Sequence, residues 1–228
     1  MTAKQLPVVI SIILLLTSCS KKLSNLEFEK SVAYEIFPAL LDSVHYDRRI
    51  PPNFPPPPPP PVNIKNKDST NLEWDETKLI AEYEKRRVEL EKDTTKLIIA
   101  IVDSTYRIDE QTKKKFINFY KEYSIKLDTI NNDTPYKINI SDLKHNEKII
   151  LKYRSELPTS SKVWDEKYDF YLSGITGFSR IQFDQTKSYG ILISGFGCGR
   201  LCGWSGIFFI RKIDGKWQIV KIEVTGIS

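Results

Sequence analysis

Ile207-Phe208-Phe209-Ile210-Arg211-Lys212-Ile213, then Asp214-Gly215, then Lys216-Trp217-Gln218-Ile219-Val220-Lys221-Ile222-Glu223-Val224 is the stretch that decides the fold. Two runs rich in β-branched and aromatic residues flank an Asp-Gly pair. That is the strongest short-range hairpin signal, because both central residues of a type I′ turn need positive φ. Working backwards, Tyr189 to Ser194 reads as another strand, Asp184 to Lys187 as a turn, and the alternating Phe178 to Phe183 as the strand before it. The C-terminal part is thus expected to be a meandering antiparallel sheet.

Upstream, the pattern changes period. Ser24-Asn25-Leu26-Glu27 has the form of a capping box, in which the serine hydroxyl and the glutamate carboxylate satisfy each other's backbone donors. Behind it Leu26, Ala33, Phe37, Leu40 and Val44 recur at helical spacing, with Val32, Ile36 and Leu41 widening the stripe. Pro38 falls inside the pattern and predicts a kink or restart. A second box, Thr70-Asn71-Leu72-Glu73, opens a charge-rich helix to about Asp93, with Trp74, Ile80, Tyr83, Arg87 and Leu90 on one face. Such a helix is expected to form a solvated layer over a sheet.

Leu97 to Val102 is an unbroken, β-branched apolar run, the look of a strand buried on both faces. Asp109 can cap a helix running to about Leu127. Asn131 to Pro135 is a cluster of turn residues, and short strands are expected at Tyr136–Ile140 and Lys148–Tyr153. The fold class is therefore α+β, with N-terminal helices packed on a mostly antiparallel C-terminal sheet.

The first residues read differently. Lys4, an apolar core from Leu6 to Leu16 and small residues before Cys19 have the parts of an export signal, and the core is shorter than the ~20 residues a spanning helix needs. Leu16-Thr17-Ser18-Cys19 closely resembles the lipobox of bacterial lipoproteins. The resemblance implies that residues 1–18 are removed and that Cys19 carries the lipid, which makes the membrane a partner through that lipid. Residues 19–50 then form a lipidated tether and helix, 51–68 a proline-rich linker, and 69–228 an α+β domain. Seven consecutive prolines, Pro55 to Pro61, favour a polyproline II rod of roughly 22 Å. It reads as a spacer or as a docking segment for an aromatic-lined groove. With the first helix, it could also serve as an interaction arm for another envelope protein, which requires residues 24–62 to pack little on the rest of the chain.

Removing residues 1–18 leaves 33 basic and 29 acidic side chains, well mixed along the chain. No basic tract with interleaved aromatics appears, so nucleic-acid binding is not expected. Chemistry is concentrated in Gly195-Phe196-Gly197-Cys198-Gly199-Arg200-Leu201-Cys202-Gly203. Gly195, Gly197 and Arg200 approach a dinucleotide fingerprint, but the third glycine is missing and a strand follows where the fingerprint requires a helix. Cys198 and Cys202 admit three readings: a disulfide staple, suited to an exported protein; two buried thiols; or a redox or metal role. The spacing is not that of C-x-x-C oxidoreductases. His45 and His145 are the only histidines and neither has another candidate ligand near it in sequence, so no metal site is expected. No nucleophile-elbow pattern surrounds any serine. No catalytic residue and no cofactor is indicated.

Phe196, Trp204, Phe208, Phe209 and Trp217 lie on or beside neighbouring strands, as a sheet core or as a pocket lining. Trp204, between glycines, is the aromatic expected to be exposed, and with Phe196 and Arg200 it makes the candidate ligand or partner contact. Phe178-Ser179-Arg180-Ile181, then Gly199 to Gly206, then Asp214-Gly215-Lys216-Trp217, resembles the C-terminal signature of uncharacterised Bacteroidetes lipoproteins, over about the last fifty residues. That resemblance implies no activity. The expected role is a lipid-anchored, outer-membrane protein facing the periplasm, non-catalytic, giving envelope structure or binding a partner or ligand. The alternative is an enzyme or thiol-redox protein using the Cys198–Cys202 segment.

Overall fold

The structure, a computed structural model, describes residues 23–45, 47–49, 76–129 and 134–228. Cys19, the Pro55 to Pro61 run, the Thr70 box and most of the Asn131–Pro135 turn lie outside the described residues. The chain is α+β: three α-helices and a seven-stranded, mostly antiparallel sheet are present among the described residues.

Helix α1, Asn25–Val44, begins where the capping box puts it. The Glu27 amide donates to Ser24 Oγ at 3.2 Å, and the Ser24 amide donates to Glu27 Oε2 at 2.8 Å. No restart occurs at Pro38, and the helix runs through it uninterrupted. Proline removes one backbone donor and crowds the preceding turn. Burial of Phe37, Leu40 and Leu41 on either side of it offsets that cost.

The sheet order is β2-β1-β3-β5-β6-β7, with β4 paired to β5 off this path. β1 is Leu97–Ile101, β2 Ile149–Tyr153, β3 Tyr171–Phe178, β4 Gln182–Phe183, β5 Tyr189–Gly199, β6 Cys202–Ile213 and β7 Lys216–Ile227. β1 is buried at every residue and runs parallel to both β2 and β3, as an unbroken apolar strand should. From β3 onwards the pairing is antiparallel. The β6–β7 turn has φ of 50° at Asp214 and 81° at Gly215, the positive values that an Asp-Gly type I′ turn requires.

Each face of the sheet carries a helix. On one, Val32, Ile36, Phe37, Leu40 and Val44 of α1 join Phe178, Leu192, Phe208, Ile210 and Trp217 in a single core. On the other, α3, Glu110–Phe119 and capped by Asp109 through the Thr112 amide at 2.7 Å, sets Phe116 against Ile191, Ile207 and Phe209, with Tyr120 just beyond its end. α2, Glu76–Glu91, is solvated: none of its described side chains is buried, and Arg87 pairs with Glu91 at 3.0 Å.

Four expectations are corrected. The first helix is not a free interaction arm, because α1 supplies one whole side of the main core. The helix after Asp109 ends at Phe119 rather than near Leu127, since Ser124 adopts a left-handed φ of 47° and Leu127 bridges to Asp184 instead. Tyr136–Ile140 is no strand. Tyr136 and Ile138 are buried, yet the backbone bonds other backbone only at Asp103 and Thr105 before a 3-10 turn at Ile140–Asp142, its remaining bonds going to side-chain hydroxyls. Phe178–Phe183 is two strands rather than one, because Arg180 and Ile181 leave the ladder: the Arg180 amide donates to Tyr106 O at 2.7 Å and the Ile181 amide to Glu29 Oε1 at 2.8 Å.

The placement of α1 has a direct test. Phe37→Ala removes a side chain that is 1 % exposed, so urea denaturation is expected to show a loss of about 3–5 kcal/mol. A helix serving as a free arm would lose almost nothing.

Candidate functional site

The β5–β6 hairpin carries the residues singled out in the sequence, and it positions them as parts of strands rather than of a loop. β5 continues through Gly195 to Gly199 and β6 starts at Cys202, which leaves only Arg200 and Leu201 at the tip. The glycines serve close backbone approach. A Cβ on Gly195 would lie 2.6 Å from the Trp204 carbonyl oxygen, and one on Gly174 of the neighbouring strand 2.2 Å from the Phe196 ring. No phosphate is needed to explain either.

Cys198 and Cys202 are bonded to each other, with Cα atoms 5.1 Å apart, inside the usual range for a bridge. The enclosed loop is short, so its chain-entropy contribution is at the low end, about 2 kcal/mol. Arg48, in the loop after α1, donates from Nη1 to the Cys198 carbonyl at 2.7 Å. Arg200 is exposed and forms an ion pair with Asp165, a surface contact of ~0–1 kcal/mol.

The two aromatics of the candidate contact also serve the packing of α1. Phe196 is 3 % exposed and packs edge-on against His45, with ring centroids 5.2 Å apart. Trp204 is half-buried, its ring against the main core and its Nε1 donating to Val44 O at 3.1 Å. Both therefore anchor the end of α1. What remains accessible is a cleft of about 560 Å³ lined by Trp164, Ile175, Trp204 and Ile227 over a backbone floor of Gly197, Gly203 and Gly226. Leu201 (89 % exposed) and Ile227 (83 %) stand at this end of the sheet.

His45 was legible in the sequence only as a lone histidine. Its Nε2 shares a 2.8 Å hydrogen bond with Ser173 Oγ. Burial pushes its pKa below the usual 6.5, against an upward pull from Asp47 and Asp42. The half-buried imidazole is therefore biased towards its neutral form. Nearby, Arg49 links Asp47 at 2.8 Å to Asp93 at 2.7 Å, tying the loop after α1 to the segment that enters β1. Neither the His45–Ser173 contact, 128 residues apart, nor that of Arg48 with Cys198, 150 residues apart, leaves any signature in local sequence.

Among the described residues no group of three or more His, Cys, Asp or Glu side chains could hold a metal ion, and no helix is long and apolar enough to cross a membrane. Comparison with protein-family models, with curated proteins and with solved structures returns no match.

The burial of His45 predicts a pH dependence. Its folded pKa is depressed, so the unfolded chain takes up a proton first and stability falls as pH drops below ~6.5 towards the folded value. Urea midpoints between pH 7 and 5.5 should decline in the native protein, and the decline should be shallower in His45→Gln. Equal slopes would show that His45 is not buried as a neutral ring.

Proposed function

We propose that this protein is an exported lipoprotein, anchored through Cys19 in the outer membrane and facing the periplasm, whose α+β domain has a non-catalytic role in envelope structure or in binding a partner or small ligand. The observation that carries the reading is Leu16-Thr17-Ser18-Cys19 placed directly behind the apolar run Leu6 to Leu16. Two or more acyl chains on one cysteine make a stable anchor where a single chain gives only marginal binding. The Cys198–Cys202 bridge supports it independently, because disulfides persist in oxidising compartments.

The rival, thiol-redox chemistry at the hairpin, has less support. Reactive cysteines sit in partly exposed, electropositive surroundings that stabilise the thiolate. Cys198 is only 9 % exposed, and the His45 imidazole is held by Ser173 and Phe196. The open groups at this end, Leu201, Ile227 and Trp164, suit an apolar contact better than proton or electron transfer.

Expression in a bacterial host tests the anchor. The mature chain should lack residues 1–18, carry a lipid mass on Cys19 and sediment with membranes, whereas Cys19→Ala should remain unprocessed and unlipidated. A native chain that carries no lipid would defeat the reading.

A further inference from the structure

If Cys19 is the anchor, as proposed above, the tether restricts which end of the domain can face the bilayer. Four residues separate Cys19 from Ser24, the N-cap of α1, and the five Cα–Cα steps between them span at most about 18 Å when fully extended. The start of α1 must therefore stay that close to the lipid surface. α1 has 20 residues, roughly 30 Å of helix, and its two ends are pinned to opposite ends of the sheet. At its start Phe28 packs 5.2 Å from Phe183 and 6.3 Å from Trp217, and Lys187 Nζ donates to Asn25 Oδ1 at 3.0 Å. At its finish the Val44 carbonyl accepts from Trp204, beside the Cys198–Cys202 bridge. The end that holds the 184–188 and 214–215 turns is thus membrane-proximal, and the Arg200–Leu201 tip is distal.

The proximal end has the chemistry of a surface that meets lipid headgroups. Lys126, Lys212 and Lys216 are exposed there, with Lys187 and Arg211 half-buried. Lys126 belongs to this end because its carbonyl accepts from the Gln185 amide, and Lys212 because its amide donates to Ser188 O. Five acidic groups face these five, and three of the acids are already engaged. Asp128 is paired with Lys187 at 3.2 Å, Asp184 is buried in its own turn, Glu27 is engaged in its cap, and Asp214 and Glu122 are exposed. Apolar side chains stand among these charges: Leu23 is 53 % exposed, Leu26 41 % and Tyr123 53 %, with the Arg211 guanidinium 5.2 Å from the Tyr123 ring. Short apolar side chains and a tyrosine set among exposed lysines are groups that settle at a bilayer interface.

We propose that this end is a second membrane contact. Lys126, Lys212 and Lys216 engage anionic phospholipid headgroups, while Leu23, Leu26 and Tyr123 enter the interface. The contact holds the domain upright, so the disulfide-bridged hairpin is presented away from the bilayer, where it can meet another molecule.

The test uses the full-length lipidated protein in vesicles of phosphatidylcholine containing phosphatidylglycerol, and in vesicles of phosphatidylcholine alone. Hydrogen–deuterium exchange at residues 184–188 and 211–216 should slow several-fold on the anionic vesicles relative to the neutral ones, with exchange at 199–203 unchanged. The triple variant Lys126→Glu, Lys212→Glu, Lys216→Glu should lose that protection, since each basic residue near an anionic surface is worth about fivefold in binding. Unchanged protection of β1 in the variant shows that it is folded. An intact lipid mass with no protection at the proximal end, or with protection at the tip instead, overturns the proposal while leaving the anchor standing. Absence of the lipid mass overturns the anchor and the proposal together.

Discussion

The carboxylate of Glu29 is the interaction on which the rest of the structure depends. It accepts from Arg180 Nε at 2.8 Å, from Arg180 Nη2 at 2.7 Å and from the Ile181 amide at 2.8 Å, and the two side chains are 2 % and 7 % exposed. A bidentate pair of this kind is short, directional and shielded from water. Losing either partner leaves a buried charge with nothing to balance it. Arg180 also donates to the Thr134 carbonyl and lies over the Tyr136 ring, so one guanidinium ties α1, the break between β3 and β4, and the segment before Ile138.

From that point the seating of α1 follows. The helix can lie along β5, β6 and β7 only if the chain leaves the sheet after Phe178 and offers the Ile181 amide to Glu29. The apolar stripe then closes over Phe178, Leu192, Phe208 and Ile210. At the far end the same helix terminates on Trp204 and His45, the groups that pack against the glycine-rich hairpin. The hairpin is thus held by the helix on one side and by its own disulfide at the tip. Its glycines allow backbone and ring to approach where a Cβ would collide.

Much of this was legible in the sequence, and the part that was not has a physical reason. Local signals carried through: the capping box at Ser24, the cap at Asp109, the buried run from Leu97 and the Asp214-Gly215 hairpin all depend on neighbours within a few residues. β3 was missed because Ser173, Gly174 and Gly177 dilute its apolar pattern, although Gly174 is there to admit the Phe196 ring. The division at Ser179–Ile181 was unreadable because its cause, Glu29, lies 151 residues away from Arg180. For the same reason Trp204 looked exposed: glycine neighbours suggest a loop, and nothing nearby reveals that the end of α1 covers the indole. Proline inside a helix pattern predicts a kink or restart at Pro38, and the restart does not occur because the helix is packed on both sides of it.

A double-mutant cycle on Glu29 and Arg180, read by urea denaturation, tests the central claim most directly. Glu29→Met and Arg180→Met should each destabilise by about 3–5 kcal/mol, and the double variant should lose much less than the sum, since neither charge is then left unpaired. Single losses below ~1 kcal/mol that add without coupling would contradict the account and place α1 outside the core.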